Sequence, residues 1–458
     1  MVVIHDRYIL NELLEKHSLA TSGRPQMRFA GDLCGFNRYL FTSDYNAFAR
    51  EQRKVMHREI GTDKLARRFE DSQDIESRRL LLRTLNHPKQ LFSLHVPLLT
   101  SAIILKIVYG YTTSPDGRDP LLDLVNTMAQ NISKSYVPLS WPVDIFPWLI
   151  HVPEWVPGLK FKSIARYHIK VSNLVNDVPW RFVERKISTG DYKPSIVSSF
   201  LETFAENDAS ATLEAVEAVK YAAAMLHFAG AETSITAIRA FLFAMVTNPD
   251  IQNLAQQEID GIVGNERLPD LGDRERLPYV SALIKETLRW HAITPMGVAH
   301  RTSEELILRG YRIPKGSYIM AANRSLLHDP KEHYNPSLFD PSRFLPPRNE
   351  TNDSIKFVFG FGRRVCPGEH IAQQTLFLTI SRLLATFTIG KVNDVTGEPI
   401  EPILRCGDDV LARVEEFPFS ITPRSEIHAR LIQQVDIDYP MDSGDAELLE
   451  IPDWKEQS

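Results

Sequence analysis

The clearest candidate for chemistry in this sequence is Cys366, the one sulfur in the stretch FGFGRRVCPG at residues 359–368. A thiolate can act as a nucleophile or a metal ligand, and it forms at neutral pH where positive charge or a helix N-terminus lowers the thiol pKa. Pro367 suits the first position of a helix, and apolar residues at helical spacing follow it. The sequence therefore predicts a sulfur at the positive end of a helix dipole, beside Arg363 and Arg364.

The residues alone leave three interpretations of this cysteine stretch. The first is a structural cysteine in a turn. The second is a dinucleotide loop, but Gly360-x-Gly362 lacks a third glycine and no strand-turn-helix unit surrounds it. The third is a single axial thiolate to haem iron, a ligand that pushes electron density toward the metal and favours O–O cleavage.

The element that must face such a site is a long helix, which the sequence predicts over residues 211–247. It ends at an Asn-Pro pair, and at 1.5 Å per residue it is about 50 Å long, enough to cross a domain. A polar patch at Gly230, Glu232 and Thr233 interrupts its apolar middle. Glycine costs roughly 1 kcal/mol in a helix interior, and an unpaired buried carboxylate costs more. The patch therefore indicates a function, or alternatively a helix that ends at Gly230.

A second helix, predicted over residues 277–290, carries a charged pair. Glu286 and Arg289 are three residues apart and share a face, so they can pair. On the residues alone, a solvated surface ion pair is the simpler interpretation. The rest of the pattern is mainly α-helical with a small β portion, and short strands are predicted at residues 306–308, 311–313 and 318–320, with hairpins within residues 388–423.

No internal repeat divides residues 1–425, which we interpret as one catalytic domain. Residues 426–458 are rich in aspartate and glutamate, and we predict an acidic, mostly disordered tail. Residues 136–158 combine many prolines with Trp148 and Trp155. This segment is either an irregular loop tucked onto the core or a peripheral contact with a membrane.

Composition limits the class of protein. The chain has 458 residues, 43 % of them hydrophobic, and a net charge of -6, which offers no global basic surface for nucleic acid. Its three cysteines cannot form a disulfide framework and fit a reducing, intracellular compartment. The apolar run at the N-terminus is too short for a signal peptide or a membrane span, and no transmembrane segment is predicted.

Several stretches together resemble one family. The pattern Phe359-x-x-Gly362-x-Arg364-x-Cys366-x-Gly368 matches the haem-binding loop of the cytochromes P-450. Residues 229–234 resemble the oxygen-activation motif of that family, Glu286-x-x-Arg289 its E-x-x-R helix, and residues 341–344 its Pro-x-Arg-Phe segment. The likeness covers about residues 1–425 and is to the fungal membrane-bound type. It implies the cytochrome P-450 fold, in which a long central helix and a cysteine loop sandwich haem b.

The resemblance implies a role for each site residue. Cys366 is the axial ligand of the haem iron, and Phe359 packs near the thiolate. Gly230 opens room for O2, Thr233 donates a hydrogen bond to the bound oxygen, and Glu232 helps to relay protons. The candidates for the haem propionates are Arg364, His300 and Arg53, because charge-assisted hydrogen bonds anchor carboxylates strongly. Glu286, Arg289 and Arg343 form a buried structural triad.

The same resemblance implies an oxidoreductase, a monooxygenase that inserts one atom of O2 into an apolar small molecule, in fungal secondary metabolism. Its electrons come from an NADPH-dependent flavoprotein reductase that docks near Arg363. Relatives are held on the cytoplasmic face of the endoplasmic reticulum membrane. A thiolate-haem isomerase or dehydratase, and a non-catalytic haem-binding remnant, are the alternatives.

The sequence also departs from the family pattern. The N-terminal anchor, the first helix and the first two sheet strands have no counterpart, so the chain is expected to be truncated at its N-terminus. The tryptophan of the propionate-binding helix is replaced in Ala49-x-x-x-Arg53, which keeps the arginine. These departures favour the remnant, whereas the intact Glu232-Thr233 pair argues against the isomerase.

Overall fold

The computed structural model describes residues 1–115, 119–137, 140–156, 159–206, 212–350, 354–407 and 410–454. Helices dominate it, as predicted, and together they surround a large apolar core. The α-helices are α1 (Arg7–Asn11), α2 (Ser18–Thr21), α3 (Ala47–Ile60), α4 (Asp63–Ala66), α5 (Glu70–Asn86), α6 (Val96–Tyr109), α7 (Pro120–Ser135), α8 (Pro142–Ile145), α9 (Lys160–Ser188), α10 (Ile196–Glu206), α11 (Leu213–Thr247), α12 (Pro249–Ile262), α13 (Pro278–Trp290), α14 (Asn323–Leu327), α15 (Ser354–Phe359), α16 (Glu369–Thr386) and α17 (Glu426–Asp438).

Three small sheets accompany the helices. The strands are β1 (Val2–Ile4), β2 (His300–Arg301), β3 (Leu306–Leu308), β4 (Tyr311–Ile313), β5 (Tyr318–Ala321), β6 (Phe387–Gly390) and β7 (Ser420–Pro423). One sheet has the order β1-β5-β2, with β1 parallel to β5, and the pairs β3-β4 and β6-β7 are antiparallel. The three strands predicted between residues 306 and 320 are confirmed.

The long helix α11 is the centre of the molecule. It begins after Thr212, whose side-chain oxygen accepts a hydrogen bond from the Ala215 amide, and it ends before Asn248. It packs against α3, α6, α9, α13 and α16. The helix continues through Gly230, so the alternative that it ends there is wrong. Because α11 is buried on almost every side, the side chains that it contributes to the site are held in fixed positions.

Two helical stretches are long and apolar enough to cross a membrane on length and composition alone. They are Pro88–Tyr109 and Leu213–Thr247, and 72 % of the most apolar window of each is buried inside the protein. Burial of this extent is typical of core helices. Apolar length alone is therefore weak evidence for a membrane span in either one.

The ends of the chain bear on two predictions. Residues Val2–Ile4 form one strand, which pairs with β5. That the first two sheet strands of the family have no counterpart stays a prediction. The tail was predicted to be mostly disordered, but α17 packs on α5 and buries Ile432 and Val435. An apolar face at helical spacing provides this burial despite the acidic composition. A boundary at residue 425 therefore does not separate an ordered part from a disordered part.

Candidate active site

A cavity lies between α11 and the cysteine loop, residues 359–368. Cys366 and Thr233 both line the cavity, as the resemblance implied. Most other lining side chains are apolar, including Ile103, Ile104, Ile107 and Val108 of α6, Met225, Leu226, Ala229 and Ala237 of α11, Ile196 of α10, and Ile293, Ile371 and Leu376. The hydroxyl groups of Thr100, Ser234, Thr294 and Thr375 also line it.

The cysteine loop is held in one conformation by close backbone packing. The Cys366 amide donates to the Phe359 carbonyl at 2.7 Å, which closes the loop, and Phe359 also lines the cavity. Gly362 has φ +51°, and a Cβ there would collide with the Leu14 carbonyl oxygen. Its amide donates to Glu15 at 3.0 Å. Only glycine fits this close approach at a positive φ.

The electrostatic surroundings of Cys366 differ from the prediction. Burial raises the pKa of the thiol to about 11, and the Gly368 amide and the charge of Arg53 only partly oppose this. Helix α16 begins at Glu369 rather than at Pro367, and the Glu369 carboxylate raises the pKa further. The prediction of a lowered pKa is therefore wrong. Because a coordinating metal removes the thiol proton outright, this sulfur can still be a thiolate when it binds a metal.

Thr233 and Gly230 are two of the α11 residues that line the cavity. The Thr233 hydroxyl donates to the Ala229 carbonyl at 2.8 Å, so it stays at the cavity surface with its oxygen free to accept. Gly230 lines the cavity, as predicted. It has a second role that the sequence did not show, since a Cβ at this position would lie 3.1 Å from Cδ1 of Ile104. The glycine therefore also lets α6 pack closely on α11.

Glu232 does not line the cavity with Thr233. Arg413 donates to its carboxylate at 2.9 Å, and both side chains are partly exposed. The backbone beside Arg413 is tied to the cavity wall, because the Ala412 amide donates to the Ile293 carbonyl at 2.9 Å. No pattern in the sequence marks Arg413, which is 181 residues from its partner and belongs to no motif.

Four basic side chains form a buried cluster beside the cysteine loop. Arg53 donates to the Val365 carbonyl at 2.8 Å, and Arg364 is itself part of the loop. These groups lie near one another, because the charges of Arg24 and Arg364 help to lower the pKa of His300, and the charge of Arg53 helps to lower the pKa of Arg364. Three of the four were predicted as propionate partners, and the structure brings them together. Arg24 was missed, because no pattern marks this arginine in the sequence.

Burial has a clear effect on this basic cluster. It lowers the pKa of Arg364 to about 10 and is the main cause of the lowered pKa values of Arg24, Arg53 and His300. The nearby carboxylate of Asp44 is already paired with Arg301, outside the cluster. Arg24 donates to the Val298 and Ala299 carbonyls through Nη1, yet its buried Nε has no hydrogen-bond partner. The cluster therefore has an unpaired donor, the Nε of Arg24, and excess positive charge, and an anionic group would satisfy both.

Haem fits this arrangement of residues. Its flat apolar ring suits the aliphatic cavity, its iron suits the sulfur of Cys366, and its two carboxylates suit the basic cluster. At present the Arg364 side chain donates to the Ser22, Leu40 and Ser43 carbonyls. A carboxylate would share these donors.

A buried ion network connects α13 to the segment that precedes the cysteine loop. Arg289 donates twice to Glu286, at 2.7 and 2.8 Å, and Arg343 lies 3.0 Å from the same carboxylate. All three side chains have 0 % exposure. Arg343 also pairs with Glu350 at 2.9 Å. The surface-pair interpretation of Glu286 and Arg289 is therefore wrong, and the triad is assembled as the resemblance implied.

Comparison with known proteins gives a consistent result. The family model described as Cytochrome P450 matches residues 1–405. Cytochrome P450 monooxygenase CLM2 of Gibberella zeae is 38% identical over 98% of this chain and 85% of its own length. Multifunctional cytochrome P450 monooxygenase af510 of Aspergillus fumigatus is 36% identical over 98% of the chain and 84% of its length. O-methylsterigmatocystin oxidoreductase of Aspergillus flavus is 32% identical over 97% and 83%.

Solved structures agree on the fold. A zebrafish cytochrome P450 structure with progesterone superposes with a TM-score of 0.72 at 24% identity and covers 92% of this chain and 93% of its own. A second zebrafish cytochrome P450 structure, with abiraterone, gives 0.70 at 22% identity over the same shares. The fold, the cavity between α11 and the cysteine loop, and the sequence relatives lead to one conclusion: the chain belongs to the cytochrome P450 family, and it is a haem-thiolate monooxygenase that uses O2 and electrons from a reductase.

Proposed function

We propose that the protein oxidises a neutral, apolar small molecule in fungal secondary metabolism, with Cys366 as the haem ligand and Thr233 as the group that handles protons. The observation that carries this proposal is that Cys366 and Thr233 line one cavity whose other lining side chains are mostly apolar. The name of the Aspergillus flavus relative, O-methylsterigmatocystin oxidoreductase, supports the substrate class. Isomerisation without O2 is the weaker alternative, because it has no need of Thr233.

Different residues of the chain have different roles in the reaction. Haem held by Cys366 supplies the iron at which O2 is bound and split. The aliphatic walls exclude water and hold the substrate by apolar contact. The Thr233 hydroxyl, now bonded to the Ala229 carbonyl, can turn to donate its proton into the cavity. Glu232 is the next acidic group on the same helix, and its partial exposure allows it to exchange protons with solvent.

We predict that Thr233→Ala uncouples electron use from product formation. Without the hydroxyl, protons reach the cavity less selectively. NADPH consumption therefore continues, while the amount of product per NADPH falls by about tenfold or more. Positioned proton donors contribute roughly 10²–10⁴-fold to a reaction rate, so this loss is a modest part of that contribution. The measurement is the ratio of product and hydrogen peroxide to NADPH consumed, with added reductase. Since the substrate is unidentified, peroxide release per NADPH in the presence of a hydrophobic surrogate serves as the first readout.

The matched control is Thr247→Ala at the end of the same helix. Thr247 donates to the Phe243 carbonyl at 3.0 Å, the same type of bond, and it is not among the cavity residues. We expect this variant to behave as the native protein does. Equal peroxide yields from native protein and Thr233→Ala would remove Thr233 from the proposal, and activity without NADPH would favour the isomerase.

We further propose that the reductase docks on the basic surface formed by α3, α4 and the cysteine loop. Arg363 is exposed there and donates to Tyr45 at 3.1 Å, and Arg53 reaches from α3 to the loop. This surface lies directly behind Cys366, so it gives electrons a short path. Exposed basic residues on it are Arg50, Lys54, Arg58, Lys64, Arg67, Arg68 and Arg363.

Charge reversal tests this docking surface. In the double variant Arg50→Glu/Lys54→Glu, the flavoprotein should reduce the protein about tenfold more slowly at low salt. Charges at the rim of an interface act mainly on the association rate, and electrostatic steering raises that rate by roughly 10–10³-fold. Stopped-flow reduction at several reductase concentrations measures this. Lys315→Glu, in the exposed turn between β4 and β5, is the control and should have no effect. Equal rates for the two variants would place the reductase elsewhere.

We also propose that residues 140–156 touch a membrane, which places the protein at the endoplasmic reticulum. Trp148 is 63% exposed and Trp155 83%, so these two side chains are not tucked onto the core. Phe146 and Ile145 are exposed beside Trp148. Tryptophan is enriched at membrane interfaces, where one end of the ring is apolar and the other wet.

Vesicle binding checks the membrane contact. Trp148→Ser/Trp155→Ser should weaken binding to phosphatidylcholine–phosphatidylserine vesicles by about tenfold for each tryptophan, equivalent to roughly 1.4 kcal/mol each. Co-sedimentation of purified protein with vesicles gives the affinity. Tyr334→Ser removes an aromatic residue that is 81% exposed in another segment, and it should leave the affinity unchanged. Equal vesicle affinities for Trp148→Ser/Trp155→Ser and for Tyr334→Ser would refute the membrane contact.

A further inference from the structure

The last described part of the chain, residues 439–454, forms an extended segment that we name the C-terminal strap. It leaves α17 beside α5, where the Arg78 guanidinium lies 5.0 Å from the centre of the Tyr439 ring. Arg79 donates to the Pro440 carbonyl, and the Arg83 guanidinium contacts the Met441 sulfur at 3.8 Å. The strap is therefore seated on one basic face of α5.

Charge explains this first contact. Arg79 and Arg83 share one carboxylate, Glu76, at 2.9 and 3.3 Å, so the face keeps an excess of positive charge. Asp442 of the strap lies 3.5 Å from Arg79 and is 49% exposed. The strap thus supplies the missing negative charge through a pair that water and salt can reach.

The middle of the strap binds the segment after α6. The Asp445 amide donates to the Thr112 carbonyl, and the Asp445 carboxylate accepts from the Thr112 amide, both at 2.8 Å. Gly444 has φ +83°, and a Cβ there would lie 3.0 Å from Ser114, so the two backbones meet closely. On its other side, the Thr112 hydroxyl accepts from Lys193 at 2.8 Å. Thr112 therefore connects the strap to the segment between α9 and α10.

This connection, which we call the Thr112 junction, joins two walls of the active-site cavity. Val108, four residues before Thr112, lines the cavity from the end of α6. Ile196, three residues after Lys193, lines it from the start of α10. Through Thr112 and Lys193 the strap is therefore linked to both walls, which also meet directly where Gly110 packs against the Lys193 carbonyl.

The end of the strap lies along α9. Glu450 accepts from Arg185 at 2.8 Å, and the Asp453 carbonyl accepts from Lys170 at 2.8 Å. These two basic residues are 15 positions apart, or about 22 Å along a helix. Trp454 is 8% exposed and anchors the end in the main core. The strap thus contacts α9 at two points that are separated by about half of the helix length.

We propose that the C-terminal strap is a salt-sensitive latch that holds α9 in place and keeps the Thr112 junction, which joins the α6 and α10 walls of the cavity, closed. Acidic groups of the strap contact basic groups of α5 and α9, and the carboxylates of Asp442 and Glu450 are exposed. Each such pair is weak and screened by salt, so the ionic part of the latch opens without unfolding the core. With the latch open, α9 and the two walls separate, and bulky substrates enter and leave faster.

Hydrogen exchange of the full haem-loaded protein tests the latch. A chain that stops after Asp438 should exchange the amides of α9 and of residues 111–114 at least tenfold faster than the native chain. A chain that stops after Trp454 is the matched control and should match native rates. Exchange in α13 and α16 should not change in either chain. Raising the salt to about 1 M, where the Debye length is about 3 Å, should accelerate α9 exchange in the native chain and in the control chain, but not in the chain that stops after Asp438.

A second variant covers the case in which the shortened chain does not fold. Asp445→Ala/Glu450→Ala keeps Trp454 and all apolar contacts of the strap, and it should give the same local increase. Binding of 4-phenylimidazole, followed by the haem absorption shift, should become severalfold faster in both variants. Unchanged α9 exchange in a folded variant would overturn the proposal. So would an equal rise in α13 and α16, because that pattern is general destabilisation.

Discussion

Cys366→Ala is expected to abolish thiolate ligation and to reduce monooxygenase activity by well over 100-fold. Cys366 is the sulfur at the cavity, and among the described lining residues no other side chain offers a thiolate. Losing an outer-shell partner of a metal ligand already costs roughly 10–100-fold, and losing the ligand itself costs more. The measurement is the absorption spectrum of the reduced, carbon-monoxide-bound protein, together with product formation.

Cys406→Ala is the control for this experiment. Cys406 is an exposed free cysteine that is not among the cavity residues, so its removal should leave spectrum and activity intact. Circular dichroism of Cys366→Ala should be native, because the small side chain fits the loop. An unchanged thiolate-type spectrum in Cys366→Ala would refute the assignment of the ligand. Loss of the same spectrum in Cys406→Ala would refute it as well.

Glu286→Ala is expected to destabilise the fold by roughly 3–5 kcal/mol, the usual cost of removing one partner of a buried ion pair. The change leaves Arg289 and Arg343 charged, fully buried and without their shared carboxylate. The Asp340 amide also loses its acceptor, since it donates to Glu286 at 2.8 Å. Because domains are stable by only about 5–15 kcal/mol, this loss removes a large fraction of the total.

Urea unfolding followed by circular dichroism measures this loss. Arg348→Ala is the control, because Arg348 belongs to the exposed side of the same network and pairs with Asp340 at 2.5 Å. Arg348→Ala should lower the free energy of unfolding by less than about 1 kcal/mol, the usual contribution of a surface ion pair. Equal free energies of unfolding for Glu286→Ala and the native protein would show that the triad does not stabilise the core. Glu286→Gln, which keeps the shape and one acceptor, should lie between the two.

Local patterns predicted the parts of the molecule that local physics determines. The long helix, the short strands and the closely packed cysteine loop follow from apolar spacing, turn residues and glycine positions. Residues 229–234 and Glu286-x-x-Arg289 were found by motif. The burial of the Glu286 pair depended on Arg343, which is 57 residues away, so spacing alone favoured a surface pair.

The missed features all arise from contacts between distant segments. Arg413 reaches Glu232 from a loop, and Arg24 joins the basic cluster from the N-terminal segment. The raised pKa of Cys366 depends on how deeply the fold buries the sulfur, which no residue spacing shows. The acidic tail was misjudged because its composition hid an apolar helix face that α5 covers.

The basic cluster has a consequence for the life of the protein in a cell. A newly synthesised chain must bring Arg24, Arg53 and Arg364 near one another and bury the Arg24 Nε without a hydrogen-bond partner, which makes folding less favourable. Haem binds the native chain and not the unfolded one, so its supply shifts the balance by mass action. Chains made when haem is scarce spend more time exposed to proteases. The abundance of this protein should therefore follow cellular haem synthesis, independently of transcription.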